Sequence, residues 1–340
     1  MPSAGGVSRT HAALVIRTDT YSDIAAELDF PHGGLLKYEE KLPYPRNVVN
    51  EDTFPDFAGS TFREESVAWY YSAQLFLRKR LNKLRYNLYG EDVAKRSPRQ
   101  LVEVLLENEG ILNNWKSLPS PINQWSDSDP QATDILDARL RAKYFGAYYI
   151  QTRPYLDYVL HVMDPVRAGK SLEDATVDAF GHLRPSELAI FRGIQLMGEY
   201  EIKDKARKCV EMAINSTIAF DKVPGRLVVT NIMGTAHAQW GNMLVLSAAY
   251  NSKKDFLLDL ISKTKLHELF VRTVRFLGRL RRTSKTAAKD IEVLQTVHRK
   301  LYGYSVDESS STRFESSQNL QGYSGGPMAS STQVSFASDA

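Results

Sequence analysis

Few side chains in this chain stand at spacings that do chemistry. Gly322-Tyr323-Ser324-Gly325-Gly326 spells the G-x-S-x-G pattern of a nucleophilic serine. Such a serine acts only from a strained strand-to-helix turn with a histidine and an acid in reach. No strand pattern precedes it, no histidine follows His298, and the surrounding text is rich in Gly and Ser, so it reads as a chance match. The histidines are His11, His32, His161, His182, His237, His267 and His298. None stands in the H-E-x-x-H spacing that sets two metal ligands on one helix face: His267-Glu268 begins the string, but Val271 holds the second ligand's place. A phosphate-cradling G-x-x-x-x-G-K-[ST] loop is absent from the sequence, and no nucleophile, carboxylate pair or metal set appears at working spacing. An enzyme is therefore the weakest reading, and no cofactor or metal is expected.

Two polar constellations remain. The string NIMGTAHAQWGN places Asn231, Thr235, His237, Gln239 and Asn242 within a helical stretch flanked by apolar residues. These groups either line a ligand cavity, where a few fixed hydrogen-bonding groups orient a small molecule, or form a buried network that joins helices. The network is favoured because buried polar groups are normally satisfied by their neighbours. Arg153, before Pro154 and next to the tyrosine face of Tyr144 and Tyr148, has the same two readings. Further on, Arg272, Arg275, Arg279 and Arg282 step by three, four and three, within a run of seven basic residues and no acid between Val271 and Lys289. Such a stripe suits phosphates or an acidic protein surface, or is a solvated helix face.

The elements that carry these residues are helical. From Glu64 to Tyr89, Leu77, Leu81, Leu84 and Leu88 recur in steps of four, three and four, and Gly90 can end the helix. Ser97-Pro98 opens a second helix with Leu101, Leu105 and Leu112 along one side. After a turn-rich connection from Leu118 to Pro130, Asp134 to Ile150 forms a long helix that Arg153-Pro154 interrupts or restarts. Tyr144, Tyr148, Tyr155 and Tyr158 lie near one face of it. Pro185–Ala219, Asn231–Tyr250, Leu257–Leu280 and Ala287–Tyr302 complete the helices, and only RLVVT at 226–230 reads as β-branched. Residues 305–340 hold 13 Ser or Thr and few apolar residues, too few to offset the entropy of ordering. The expected fold is all-α: a variable, flexible arm over 1–30, a helical domain over 31–303 and a disordered tail over 304–340.

Composition sets the outer limits. The 340 residues carry 43 Lys and Arg against 40 Asp and Glu, a net charge of +3 that implies no nucleic-acid binding by itself. With Cys209 the sole cysteine, an intrachain disulfide and a zinc site of several thiolates are both excluded. The most apolar stretch, Met243–Tyr250, is far short of the ~20 residues that cross a bilayer, and no signal-peptide pattern opens the chain. A soluble, intracellular protein without membrane contact is expected.

Three stretches carry a family resemblance: WYYSAQLFLRKRLNKLRYNLY at 69–89, RLRAKYFGAYYIQTRPYL at 139–156, and Cys209–Tyr250. Together they resemble the C-terminal regulatory region of fungal transcription factors of the binuclear zinc cluster class, across about residues 35–302. The specific strings are Arg141–Pro154, ending in R-P, and Asn231–Asn242. Members read DNA through six cysteines that hold two zinc ions; this sequence has only Cys209, so no DNA-contacting residue carries over. The resemblance implies a nuclear transcriptional regulator without its own zinc cluster. It would act on a metabolic or biosynthetic gene set through protein partners, such as a zinc-cluster factor or co-regulator, with DNA contacted only indirectly and a dimer possible. The rival is a metabolite-sensing or dominant-negative partner-binding module, with Tyr144, Tyr148, Arg153, His237 and Gln239 around the ligand.

Overall fold

A computed structural model describes residues 62–90, 92–118, 122, 124–177, 180–224 and 232–306, with side chains described from Trp69 onward. The expected arm over 1–30, the tail beyond 306, the 226–230 segment and Ser324 lie outside the described residues, as does Asn231. Among the described residues the fold is all-α, with eleven α-helices and one 3-10 turn at Val93–Lys95. The helices are α1 (Phe62–Tyr89), α2 (Pro98–Ser117), α3 (Ile135–His161), α4 (Met163–Arg167), α5 (Leu172–Ala175) and α6 (Pro185–Ile194). They continue as α7 (Glu199–Ile218), α8 (Ile232–Asn251), α9 (Asp255–Leu258), α10 (Lys263–Gly278) and α11 (Lys285–Tyr302). Among the described residues, the one pairing of extended backbone is an isolated bridge between Val177 and Leu183.

The helix boundaries follow local chemistry. Ser97 starts α2 with a reciprocal cap: its hydroxyl accepts from the Gln100 amide at 3.3 Å while the Gln100 side chain accepts from the Ser97 amide at 2.9 Å. Asp134 starts α3 by accepting from the amides of Leu136 and Asp137. Helix α1 stops where expected. A Cβ on Gly90 would come within 2.5 Å of the Tyr86 carbonyl oxygen, so the glycine is needed for space.

Helix α3 departs from expectation by running unbroken through Pro154 to His161. An interior proline loses one helical hydrogen bond and crowds the preceding turn, at a cost of about 3 kcal/mol. Burial on both sides of the proline outweighs it: Tyr144, Tyr148, Gln151, Tyr155, Leu156 and Val159 are all enclosed. With buried residues around much of its circumference, α3 sits at the centre of the domain. Helix α7 lies along it antiparallel, since Lys205 reaches Tyr155 near one end while Ile218 and Ala219 share a small cavity with Phe145 near the other. Helices α1, α2 and α6 cover other parts of α3. Leu77, Leu84 and Leu88 of α1 and Leu101, Leu105 and Leu112 of α2 are buried as their spacing requires. Helices α8, α10 and α11 pack against one another beyond α7.

The described chain ends by folding back on this last group. His298 of α11 is fully buried and stacks on Tyr302, with ring centroids 4.3 Å apart. Its Nδ1–H donates to the Tyr304 carbonyl at 2.8 Å, and its Nε2 accepts from His267 Nδ1 at 2.9 Å. Val306 is buried as well, so packed structure extends three residues beyond the expected boundary at 303.

Burial holds the His298 imidazole below its ordinary value of 6.5, with neighbouring His267 adding to the effect and the Tyr304 carbonyl opposing it. The unfolded imidazole then binds its proton at higher pH than the folded one. Stability from this residue is complete above about pH 6.5 and declines as pH falls through that value. Denaturant midpoints measured between about pH 5 and 7.5 should show the decline, and His298→Phe should reduce it. Separately, Cys209 is fully buried and burial pushes its thiol well above the ordinary range. A maleimide should label the native chain only as fast as it opens, and label it at once in denaturant.

Candidate functional site

The structure disperses the residues that sequence reasoning grouped. Gln239 of α8 is buried and accepts from the Arg272 guanidinium of α10 at 3.1 Å. The same guanidinium also donates to Asp221, just beyond α7. Burial raises the Asp221 carboxyl above its usual range while Arg272 pulls the other way. Asn242 donates to Thr217 of α7 at 3.2 Å, and Thr217 in turn donates to the Ala213 carbonyl. Gln239 and Asn242 therefore belong to a network that joins α7, α8 and α10. Thr235 is half-buried in the first turn of α8. His237 is exposed and stacks on Trp240 at 5.3 Å, which takes it out of the buried network.

The expected basic stripe is likewise broken. Arg272 is turned inward to Asp221 and Gln239, Arg275 is half-buried, and only Arg279 and Arg282 of the four are exposed. Helix α10 ends at Gly278, so Arg279 and Arg282 leave the helical spacing that aligned them in the sequence. Arg153 stands on the exposed side of α3, 3.5 Å from Asp157 Oδ2, and does not share the face of Tyr144 and Tyr148. The ligand site centred on Tyr144, Tyr148, Arg153, His237 and Gln239 is therefore not one cavity.

Tyr144 and Tyr148 do line a cleft, with partners the sequence did not mark. Its volume is about 320 Å³, and it opens between α2, α3, α7 and the segment after Gln124. Trp115 and Tyr144 stack at 5.7 Å, and Trp125 meets Tyr144 edge-on at 5.8 Å. The Lys116 ammonium stands 3.5 Å from the Trp125 ring centroid and donates to the Trp125 carbonyl. Burial lowers its pKa to about 8, against the opposing pull of Asp127. Lys208 of α7 donates to Asp127 Oδ2 at 2.8 Å and lies 5.8 Å from the Tyr148 ring centroid. Tyr148 donates to Glu109 at 3.0 Å, and Glu109 also receives a bond from Lys205. The indole N–H of Trp125 and Oδ1 of Asp127 are buried without a partner.

Sequence reasoning passed over Trp125 and Asp127 because they sit in the connection read as turns. Lys116 and Lys208 stand at no spacing that marks them in the sequence. The one available signal was a tryptophan within an otherwise polar, turn-rich segment. No group of three or more metal-ligating side chains occurs among the described residues. No family model, curated protein or solved structure matches this chain.

The Arg272 network makes a direct prediction. Arg272→Ala strands the Gln239 carbonyl and the Asp221 carboxylate, and is expected to cost about 1–3 kcal/mol. Arg279→Ala, at an exposed position, should stay within about 0.5 kcal/mol of the parent chain. Equilibrium urea unfolding of the two variants checks both values.

Proposed function

We propose that this chain is a transcriptional regulatory domain of the kind found in fungal binuclear zinc cluster factors, acting through protein partners in the nucleus. The observation that carries the reading is where the resembling strings fall. Trp69–Tyr89 lies in α1, and Arg139–Leu156 in the enclosed helix α3. The third stretch begins within α7 and, in its described part, runs on through α8. These helices pack in succession, α1 on α3, α3 on α7 and α7 on α8. A resemblance spread over scattered loops would carry no such support; one that follows the central packing fits a shared domain architecture.

Six cysteines are not among these residues, since Cys209 is the only one and is buried. Contact with a specific DNA sequence is therefore not assigned to these residues. The exposed Arg279, Arg281 and Arg282 supply at most salt-sensitive attraction to phosphates, which positions a protein without specifying sequence. Fused to an unrelated DNA-binding domain, the full chain should change the output of a reporter bearing that domain's site, in a fungal host. The unfused chain should leave the same reporter unchanged. A fusion that is expressed and folded yet silent would reject the reading, and so would sequence-selective DNA binding by the purified chain.

A further inference from the structure

We infer that the outward face of α8 is a docking surface for a second copy of this chain, met antiparallel about a two-fold axis between Asn242 and Met243. The inner side of the helix is committed: Ala236, Gln239, Met243 and Leu246 are buried, and α7, α10 and α11 pack on α8. The outer side is open. His237 and Ala248 are exposed, Leu244 is half-buried, and a Cβ built on Gly241 would meet no atom within 4 Å.

Charge is the first feature that selects the occupant. The 20 residues from Ile232 to Asn251 include no Asp, Glu, Lys or Arg, whereas every other α-helix among the described residues has at least one. A helix side turned to water ordinarily carries charges, so this one is suited to being covered. A charged partner finds nothing to pair with along it, while a copy brings no like charges together.

Size is the second. His237, Gly241, Leu244 and Ala248 follow one another in steps of four, three and four, the spacing of a seam between two helices. Antiparallel pairing about the stated axis sets Leu244 of each copy against Gly241 of the other, and His237 against Ala248. Large meets small at every step, and the pattern repeats itself across the axis, as an isologous interface requires. Parallel pairing would set Leu244 on Leu244 and leave a void between the two glycines. The His237 ring is already placed on this side by its stacking on Trp240, with centroids 5.3 Å apart.

Area sets the strength. A helix of this length is about 30 Å long and about 10 Å wide, so α8 alone covers on the order of 300 Å² per copy. That is well below the ~800 Å² per partner of a standard stable interface, so the dimer is weak, with a midpoint on the order of 10–100 µM.

The inference does not rest on the transcriptional reading, and its test involves no promoter. Sedimentation of the full chain from about 5 to 500 µM should show a rising share of dimer. Gly241→Glu and Ala248→Lys each bury an unpaired charge in the seam, and each should raise the midpoint about tenfold or more while circular dichroism shows a folded chain. Register is read by cross-linking. Chains with His237→Cys and chains with Ala248→Cys should form a disulfide-linked dimer under mild oxidant only when mixed. Like positions of the two copies lie about 16 Å apart along the helix axes, and a disulfide joins Cα atoms no more than about 7 Å apart. Native Cys209 is buried and stays out of the reaction. A monomer at every concentration would assign the face to another occupant, such as residues 1–61 of the same chain, and overturn the inference. A dimer that both charged variants leave intact, or a single-cysteine chain that cross-links with itself as readily as in the mixture, would overturn it too.

Discussion

The domain is organised by the need to enclose α3. Most helices at a protein surface keep one polar side toward water, but α3 buries tyrosine, phenylalanine and aliphatic side chains around much of its circumference. No single neighbour can cover such a helix. Helix α7 takes the longest part of it, α1 a second part, and α2 and α6 close the rest. The approach of α6 to α2 is tight enough that a Cβ on Gly193 would come within 3.0 Å of the Pro98 carbonyl oxygen. Enclosure also explains how Pro154 survives mid-helix, since a break there would expose Tyr155 and Leu156 together.

Polar groups inside this packing set the register of the helices. Gln151 of α3 donates to the Leu105 carbonyl of α2 at 2.6 Å, and Tyr148 reaches Glu109 one turn further along α2. Glu109 is shared with Lys205, so one carboxylate joins α2, α3 and α7. Removing one member of such a group leaves buried charge uncompensated, typically at about 3–5 kcal/mol, whereas an apolar replacement of the whole group can be neutral. The interaction is thus stronger as a constraint on alignment than as a source of stability. Arg272 has the same part among α7, α8 and α10, and His298 ties the end of the described chain to α10.

The cleft lies against this same junction. Tyr148 is both a wall of the cleft and a ligand of Glu109, and Lys208 stands about one turn from Lys205 on α7.

Periodicity determined the helical class, the buried leucines of α1 and α2, and the caps at Ser97 and Gly90, because each depends on residues within a turn or two. The same logic failed at Pro154, where an intrinsic penalty of a few kcal/mol was outweighed by burial from helices far away in sequence. It also failed at the polar sites. Gln239 and Asn242 were legible as network residues, but exposed His237 was not separable from them by spacing alone. Arg272 and Arg279 look alike in the sequence, yet one is drawn inward by Asp221, 51 residues away, and the other is left at a helix end. The cleft was the least legible feature, since Lys116 and Trp125 meet Tyr144 and Lys208 only after α2, α3 and α7 have packed. Local sequence sets which segments coil; which of their side chains meet is decided by burial, and burial depends on the whole chain.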